Sequence, residues 1–395
     1  MPRRLVTTLL ASALALPLAA CGDEGGDSSG GSADGPIRII SIGSFESAVF
    51  STPQIETALR AKVAAINADG GIDGRDVELT VCNDKFDPNE ATACAQRAVS
   101  EGFVAVVGGA SPFSPQFLPI LEKAKIPLVA GSASSGAPEL ESPISFPVNA
   151  GAPGMSLGNG RLAAEAGDDT VVVASDNDGS QTGADLTIKG AEAAGATMTK
   201  VTMKLGAPDV SATVAGILEL HPDAVALQVV TEDALKVVKG LRQAGYDGAI
   251  TGPGSLFPPA SLEALGEFAE GVRMTSRVVP STATDIPQVK EFVEQMTAED
   301  PDAQPDDLAL NAWTGLTLLA AVMKGHDITD GASVIAAFGD IDEPIELGTV
   351  PDYPGIPDTP DAEEYARVPV FATVPSVVEN GAVKLDGDFF NPLAS

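Results

Sequence analysis

The chain has 395 residues, of which 55 are acidic and 23 are basic, and its formal net charge is −32 at pH 7. A chain of this length is typical of two domains rather than one. The strong acidity argues against a nucleic-acid partner and against binding to anionic lipid headgroups through the protein surface, because both depend on basic patches.

The N-terminus has the three parts of a secretory signal peptide. Two arginines precede an apolar run over residues 9–18, and the sequence Leu-Ala-Ala-Cys follows at residues 18–21. The apolar run is shorter than the roughly 20 residues that a membrane-spanning helix needs. Residues 1–20 are therefore predicted to be a signal peptide.

The cleavage site ends in Cys21, and the order leucine, small, small, cysteine resembles a bacterial lipobox. A lipobox implies a lipid on Cys21, with the polar residues 21–36 as a flexible tether. The alternative is a plain secretory signal with an incidental cysteine. We expect an extracytoplasmic protein that is anchored to the cell membrane by the lipid at Cys21.

After the tether, strand and helix patterns alternate. A strand is predicted at 37–42, a helix at 52–68, and a second strand at 77–81. The Asp-Pro pair ending at Pro88 predicts an N-cap and first helical residue, so a second helix begins there. The apolar run 104–107 is typical of a parallel strand buried on both faces.

The alternation continues through most of the chain and predicts a doubly wound parallel α/β fold. A break at 146–153 separates two such blocks, and Trp313 is predicted to face the core. The proline- and aspartate-rich tail from Ile341 carries no clear pattern. The further predicted strands are 127–130, 171–174, 201–204, 224–230 and 249–251, and the further predicted helices are 116–124, 183–194, 210–220, 232–244, 288–297 and 308–323.

The cysteines indicate a disulfide. Cys82 ends a predicted strand and Cys94 lies about two turns into the next helix, so the two side chains meet if that helix packs back across the strand. With Cys21 lipidated, an even pair remains in an oxidising compartment. Asp84 and Asp87 are the nearest other metal ligands, and hard oxygen donors suit thiolate partners poorly. We therefore expect no metal and no cofactor.

Several segments resemble the type I periplasmic binding proteins, in particular the leucine/isoleucine/valine-binding branch. The most specific of them is the block NADGGIDGR at 67–75, followed by the strand that reaches Asp84. The resemblance implies two Rossmann-like lobes, each a parallel sheet flanked by helices, joined by a three-stranded hinge with the ligand cleft between the lobes. The other segments are Asp87-Pro88, 95–99, 106–108 with Ser111, 126–129 with Ser132, and 222–225.

The resemblance also implies domain boundaries and a function. Residues 37–147 with 280–340 are expected to form the N-terminal lobe, and residues 148–279 with 341–395 the C-terminal lobe. The implied function is that of a monomeric solute-binding lipoprotein, not an enzyme, which closes on a small-molecule ligand and delivers it to ABC permease subunits. A ligand-sensing receptor subunit with the same cleft is an alternative, and a hydrolase is a weaker one.

Candidate ligand residues follow the carboxyl ends of the strands, where parallel sheets bind ligands. The resemblance assigns a ligand carboxylate to the loops of Ser111 and Ser132, although loop serines also commonly cap helices. The loop 252–257 lacks the acid with which amino-acid binders hold an ammonium group. An amino acid, an amide and an organic acid all remain open as ligands. The predicted ligand residues are Phe45, Glu46, Ser111, Phe113, Ser132, Ala133, Ser134, Ser180, Gln181 and Ser255.

The sequence offers little for catalysis. His221 and His326 lie in different predicted lobes, and neither neighbours a candidate nucleophile in the sequence. Residues 158–163 match a dinucleotide-binding fingerprint in spelling, but no predicted strand precedes them. A hydrolase with a carboxylate pair stays open, although no pair stands out.

Overall fold

The structure is a computed structural model that describes residues 35–131, 137–356 and 363–394. The predicted signal peptide, most of the tether and the predicted lipidation site Cys21 lie outside these ranges. The same holds for three predicted ligand residues, Ser132, Ala133 and Ser134. Within the described ranges, none of the helices combines the length and the apolar character that crossing a bilayer requires.

The first lobe is built on a five-stranded parallel sheet with the order β2-β1-β3-β4-β5. Its strands are β1 (Ile37–Gly43), β2 (Val77–Asn83), β3 (Ala105–Val107), β4 (Leu128–Val129) and β5 (Ser145–Phe146). The helices between them are α1 (Pro53–Ala68), α2 (Pro88–Ser100), α3 (Ser114–Ala124) and α4 (Ala137–Glu141).

The second lobe is built on a seven-stranded sheet with the order β12-β11-β10-β9-β8-β6-β7. Its parallel strands are β6 (Asp169–Ser175), β7 (Thr197–Met203), β8 (Ala224–Gln228), β9 (Ala249–Pro253) and β10 (Val272–Ser276). The helices are α5 (Gly151–Ala164), α6 (Asp178–Ala193), α7 (Ser211–Glu219), α8 (Thr231–Gln243) and α9 (Pro259–Leu265), with short 3-10 helices at Gly254–Leu256 and Gly266–Ala269. Read from the other edge, these five parallel strands repeat the order of the first sheet.

The chain then returns to the first lobe and crosses again. Helices α10 (Pro287–Glu299), α11 (Asp307–Met323) and α12 (Gly331–Gly339) share one hydrophobic core with the first sheet, in which Trp313 is 1% exposed. A short 3-10 helix at Glu363–Tyr365 precedes β11 (Val374–Glu379) and β12 (Ala382–Leu385), which extend the second sheet in antiparallel fashion. Three connections therefore join the two lobes, and the predicted α/β fold with two lobes is confirmed.

The local signals in the sequence explain why α2 begins where it does. Asp87 is the N-cap residue, and its carboxylate accepts hydrogen bonds from the N–H groups of Asn89 and Glu90, as Pro88 occupies the first turn. The apolar strand β1 is buried along most of its length between helices.

Helix α5 falls in the region where the sequence predicts a break. Its glycines lower its intrinsic helix propensity, which hides it from pattern analysis. The structure shows why they are there, since a Cβ atom at Gly160 would overlap the carbonyl oxygen of Thr187 in α6. In the same way, a Cβ at Gly190 of α6 would overlap the carbonyl oxygen of Leu157. The glycines allow α5 and α6 to pack in close contact.

The tail divides between the lobes. Leu347, Val350 and Tyr353 belong to the hydrophobic core of the first lobe, whereas β11 and β12 belong to the second sheet. The chain from Leu347 to Tyr353 therefore packs with the first lobe, whereas the boundary expected at residue 341 assigns it to the second.

Cys82 and Cys94 form the predicted disulfide, with their Cα atoms 5.8 Å apart. Cys82 lies near the carboxyl end of β2, in register with Ile42 of β1, and Cys94 is buried in α2. The bridge therefore ties the edge strand of the first sheet to the helix that covers it.

We predict that replacing both cysteines, Cys82→Ala with Cys94→Ala, lowers the free energy of unfolding by about 2–4 kcal/mol, because the bridge restricts the unfolded chain. Urea denaturation measures the change. Wild-type protein treated with a reductant is the matched control and should lose a similar amount. An unchanged midpoint in both samples would show that the bridge does not stabilise the fold.

Candidate functional site

A cavity of about 470 Å³ lies between the two lobes, at the carboxyl ends of their strands. Its lining combines residues that follow β1, residues at the start of α11, residues that follow β8 and β9, and the connection that follows β10. Clefts at this edge of parallel sheets are where α/β proteins bind ligands. We refer to this space as the interlobe cavity.

One wall of the interlobe cavity is apolar. Phe50 contributes from the first lobe, and the second lobe contributes the other side chains. Phe50 is 38% exposed and begins a row of aromatic rings on the first lobe, in which Phe86 lies 6.3 Å from Phe50 and 5.5 Å from Phe113 between ring centroids. The second-lobe members of the wall are Met155, Phe257, Leu262, Met274 and Val383.

Charged residues also line the interlobe cavity, and we call Gln54, Arg277, Asp306 and Asp307 the charged end. Asp306 is the N-cap residue of α11, and its Oδ1 accepts a hydrogen bond of 2.8 Å from the N–H of Ala309. Its Oδ2 accepts a second hydrogen bond of 2.7 Å from Nε2 of Gln54 in α1. The Nε of Arg277 lies 3.9 Å from Oδ2 of Asp307.

The surroundings of Asp306 disfavour its ionised form. Burial is the largest cause that raises the pKa of Asp306, to about 6, and the neighbouring Asp307 carboxylate raises it further. The hydrogen bonds from Ala309 and Gln54 oppose this shift without cancelling it. Asp306 therefore ionises near neutral pH only at a cost in stability.

The structure places the predicted ligand residues in different surroundings. Ser255 lines the interlobe cavity, and the other six predicted ligand residues that the structure describes are not among its lining residues. Ser111 is 5% exposed, and its Oγ accepts a hydrogen bond of 3.2 Å from the N–H of Phe113 in the loop after β3. Phe45 packs in the core of the first lobe, while Glu46 is exposed.

The two predicted residues of α6 make local hydrogen bonds. The N–H of Ser180 donates to the Asn177 side chain, which caps the helix, and Nε2 of Gln181 donates to the carbonyl of Ser175. Their ligand role stays a prediction, as does that of Ser111, Phe113, Phe45 and Glu46.

The charged end is not among the ligand residues predicted from the sequence. The Pro-Asp-Asp sequence before α11 is a recognisable helix start. Nothing local in it indicates a ligand site, because its partner Gln54 is 252 residues away in the chain. Arg277 likewise reaches the cavity only through the fold.

Metal binding finds no support in the described parts of the chain. Over residues 35–131, 137–356 and 363–394, no group of three or more His, Cys, Asp or Glu side chains is arranged to hold a metal ion.

The chain is similar to solute-binding proteins in sequence and fold. A family model described as "Periplasmic binding protein" matches residues 37–349. The Leu/Ile/Val-binding protein of Escherichia coli K12 is 25% identical over 313 residues, which cover 76% of this chain and 82% of the relative.

Two solved structures illustrate the likeness in fold. The branched-chain amino acid transporter substrate-binding protein LivJ from Streptococcus pneumoniae, in complex with isoleucine, superposes with a TM-score of 0.70 at 18% identity, covering 88% of this chain and 98% of that one. A solute-binding protein of an ABC transporter from Rhodopseudomonas palustris, in complex with 3,4-dihydroxybenzoic acid, gives a TM-score of 0.68 at 20% identity, covering 90% and 95%.

The raised pKa of Asp306 predicts a pH-dependent effect of Asp306→Asn. The unfolded-state pKa is near the ordinary 3.8 and the folded-state pKa is about 6, so wild-type stability falls as pH rises between these values. Asparagine keeps the helix cap and removes the charge. The variant should match wild type near pH 4 and be more stable by about 1–3 kcal/mol at pH 7.5.

Melting temperatures at pH 4 and pH 7.5 test this prediction. Asp330→Asn is the matched control, because Asp330 also caps a helix, α12, but is exposed and is not among the described cavity-lining residues. Equal shifts for both variants at both pH values would contradict the buried charge at Asp306.

Proposed function

Since the chain belongs to the periplasmic binding protein family, as the match over residues 37–349 shows, we propose that it is an extracytoplasmic solute-binding protein that delivers a small solute to an ABC importer. The observation that carries this proposal is the interlobe cavity, whose walls come from both lobes and from the connection between them. A ligand there contacts both lobes at once and stabilises the closed arrangement over the open one.

The lining supports an amphipathic solute. The volume of about 470 Å³ lies within the usual range for small-molecule sites, about 300–1,000 Å³. An apolar wall suits an aliphatic or aromatic body, and the charged end suits a polar head. Similar proteins hold isoleucine in one case and 3,4-dihydroxybenzoic acid in another. An amino acid, an amide or an organic acid is the proposed ligand class.

The loops of Ser111 and Ser132 are proposed to contribute hydrogen bonds when the lobes close. The Ser111 oxygen accepts the Phe113 N–H, and its hydroxyl proton can still be donated to a ligand carboxylate. Ser255 reaches the interlobe cavity from the second lobe.

The lipid at Cys21 is proposed to hold the mature protein at the membrane as a monomer, where the permease subunits are its protein partners. Stable attachment requires more than one acyl chain. The acidic surface contributes nothing to attachment, because anionic headgroups repel it.

A ligand screen tests the solute-binding function. Amino acids, amides, and aliphatic and aromatic acids and amines are added to the purified protein, and a true ligand should raise the melting temperature with a stoichiometry of about one. Recovery of the ligand unchanged separates binding from hydrolysis. Turnover of a hit would contradict the proposal.

Phe50→Ala then locates the binding site of any hit. Loss of this ring from the cavity wall should weaken binding by about tenfold, because apolar area is no longer buried against the solute. Val49→Ala is the matched control, since Val49 is 74% exposed and is not among the described cavity-lining residues. Equal affinities of the two variants would place the ligand elsewhere.

Cys21→Ser tests the anchor. The variant should move from the membrane fraction to the soluble fraction of cells, because the thioether cannot form on serine. Cys82→Ala with Cys94→Ala is the control and should stay with the membrane. A Cys21→Ser protein that remains membrane-bound would show that the chain is held by other means.

A further inference from the structure

The charged end of the interlobe cavity carries a surplus of negative charge. Among the described residues that line the cavity, Asp306 and Asp307 are the acids and Arg277 is the base. The Arg277 guanidinium lies near Asp307, with 3.9 Å between Nε and Oδ2. Asp306 accepts hydrogen bonds from the neutral Gln54 side chain and from backbone N–H groups at the start of α11.

The hydrogen-bond capacity of these acids is also incompletely used. Oδ2 of Asp307 is buried and accepts no hydrogen bond from the parts of the chain that the structure describes. A buried carboxylate oxygen without a donor is costly. A ligand that brings N–H donors and a positive charge removes both the missing hydrogen bond and the charge surplus.

A second observation, independent of the acids, also points to an occupant of the interlobe cavity. Ser376 of β11 is 1% exposed and lines the cavity beside its cross-strand partner Met274. Its Oγ has no hydrogen-bond partner among the described residues. A solute in the same cavity can supply the partner that this hydroxyl lacks.

We propose, building on the solute-binding function proposed above, that the solute carries a protonated amine, which Asp306 and Asp307 hold at the charged end while its apolar body lies along Phe50, Phe257 and Met274. Both acids stand at the N-terminus of α11, which packs in the core of the first lobe. The raised pKa of Asp306 agrees with this assignment, because burial and the neighbouring Asp307 carboxylate disfavour its ionised form, which a ligand cation would stabilise.

The test compares four probes that share one apolar body and differ in the head group: 2-phenylethylamine, 2-phenylethanol, 3-phenylpropanoate and L-phenylalanine. Thermal shift and calorimetry are run in phosphate buffer at pH 7.5, since amine buffers would compete. The two probes with an ammonium group are expected to raise the melting temperature, and the alcohol and the acid are expected to have no effect. Hits from the broader screen are likewise divided into those with and those without an ammonium group.

Asp306→Asn should weaken the binding of an amine probe or hit by at least about 30-fold, the usual loss when one partner of a desolvated charge pair is removed. Asp307→Asn should weaken it in the same direction. Asp330→Asn is the control with the same chemical change at an exposed helix cap, and its affinity should equal that of wild type.

The outcomes separate this inference from the proposed function. A hit without a protonatable nitrogen that binds more tightly than the amines overturns the amine assignment and leaves solute binding standing. An amine whose affinity survives Asp306→Asn in a folded variant overturns the assignment to the charged end. No binding by any screened compound overturns the solute-binding function, and the amine assignment with it.

Discussion

The buried hydrogen bonds at the connections between the lobes are the constraint on which the cleft depends. Nδ2 of Asn149, in the first connection, donates to Oδ1 of Asn311 in α11 at 2.6 Å. The N–H of Val279, in the second connection, donates to the carbonyl of Thr349 at 3.0 Å, and the Thr349 and Thr314 hydroxyls are 2.6 Å apart. If the connections shifted, these buried polar groups would lose their hydrogen-bond partners. The hydrogen bonds therefore hold α11 in place relative to the first and second connections.

Helix α11 links the core of the first lobe to the chemistry of the cleft. Its Trp313 is buried, and Nε1 of that ring donates to Oε1 of Gln295 at 2.7 Å, with Lys62 4.0 Å above the ring centre. The same helix begins at the Asp306 cap that reaches the interlobe cavity. The position of this acid is therefore set by core packing rather than by a loop, which is how precise sites are usually supported. Ionised Asp306 destabilises the folded protein. A ligand that neutralises its charge relieves this destabilisation, and the relief adds to the free energy of binding.

The last part of the chain packs against both lobes. The rings of Tyr365 and Phe371 stack with centroids 4.9 Å apart, in a small hydrophobic cluster that also contains Leu140 of α4 and Leu157 of α5. This cluster draws on helices of both lobes, so it couples their packing in addition to the connections themselves. The tail then completes the second sheet with β11, and Ser376 of that strand reaches the cavity.

The sequence by itself determined the elements whose signals are local. The apolar run of β3, the Asp87 cap of α2 and the Cys82–Cys94 pair all depend on residues close together in the chain, and all three are present in the structure. Helix α5 escaped detection because its glycines serve a contact with α6 that periodicity does not report.

The candidate site was decided by tertiary structure. Of the seven predicted ligand residues that the structure describes, Ser255 lines the cavity and the other six do not. The charged end arises from Gln54 and Asp306, which are 252 residues apart, together with Arg277 from the connection after β10. Sequence patterns report contacts between residues that are close together in the chain. A cavity between two lobes is lined by residues that are far apart in the chain and come together only when the lobes fold and pack.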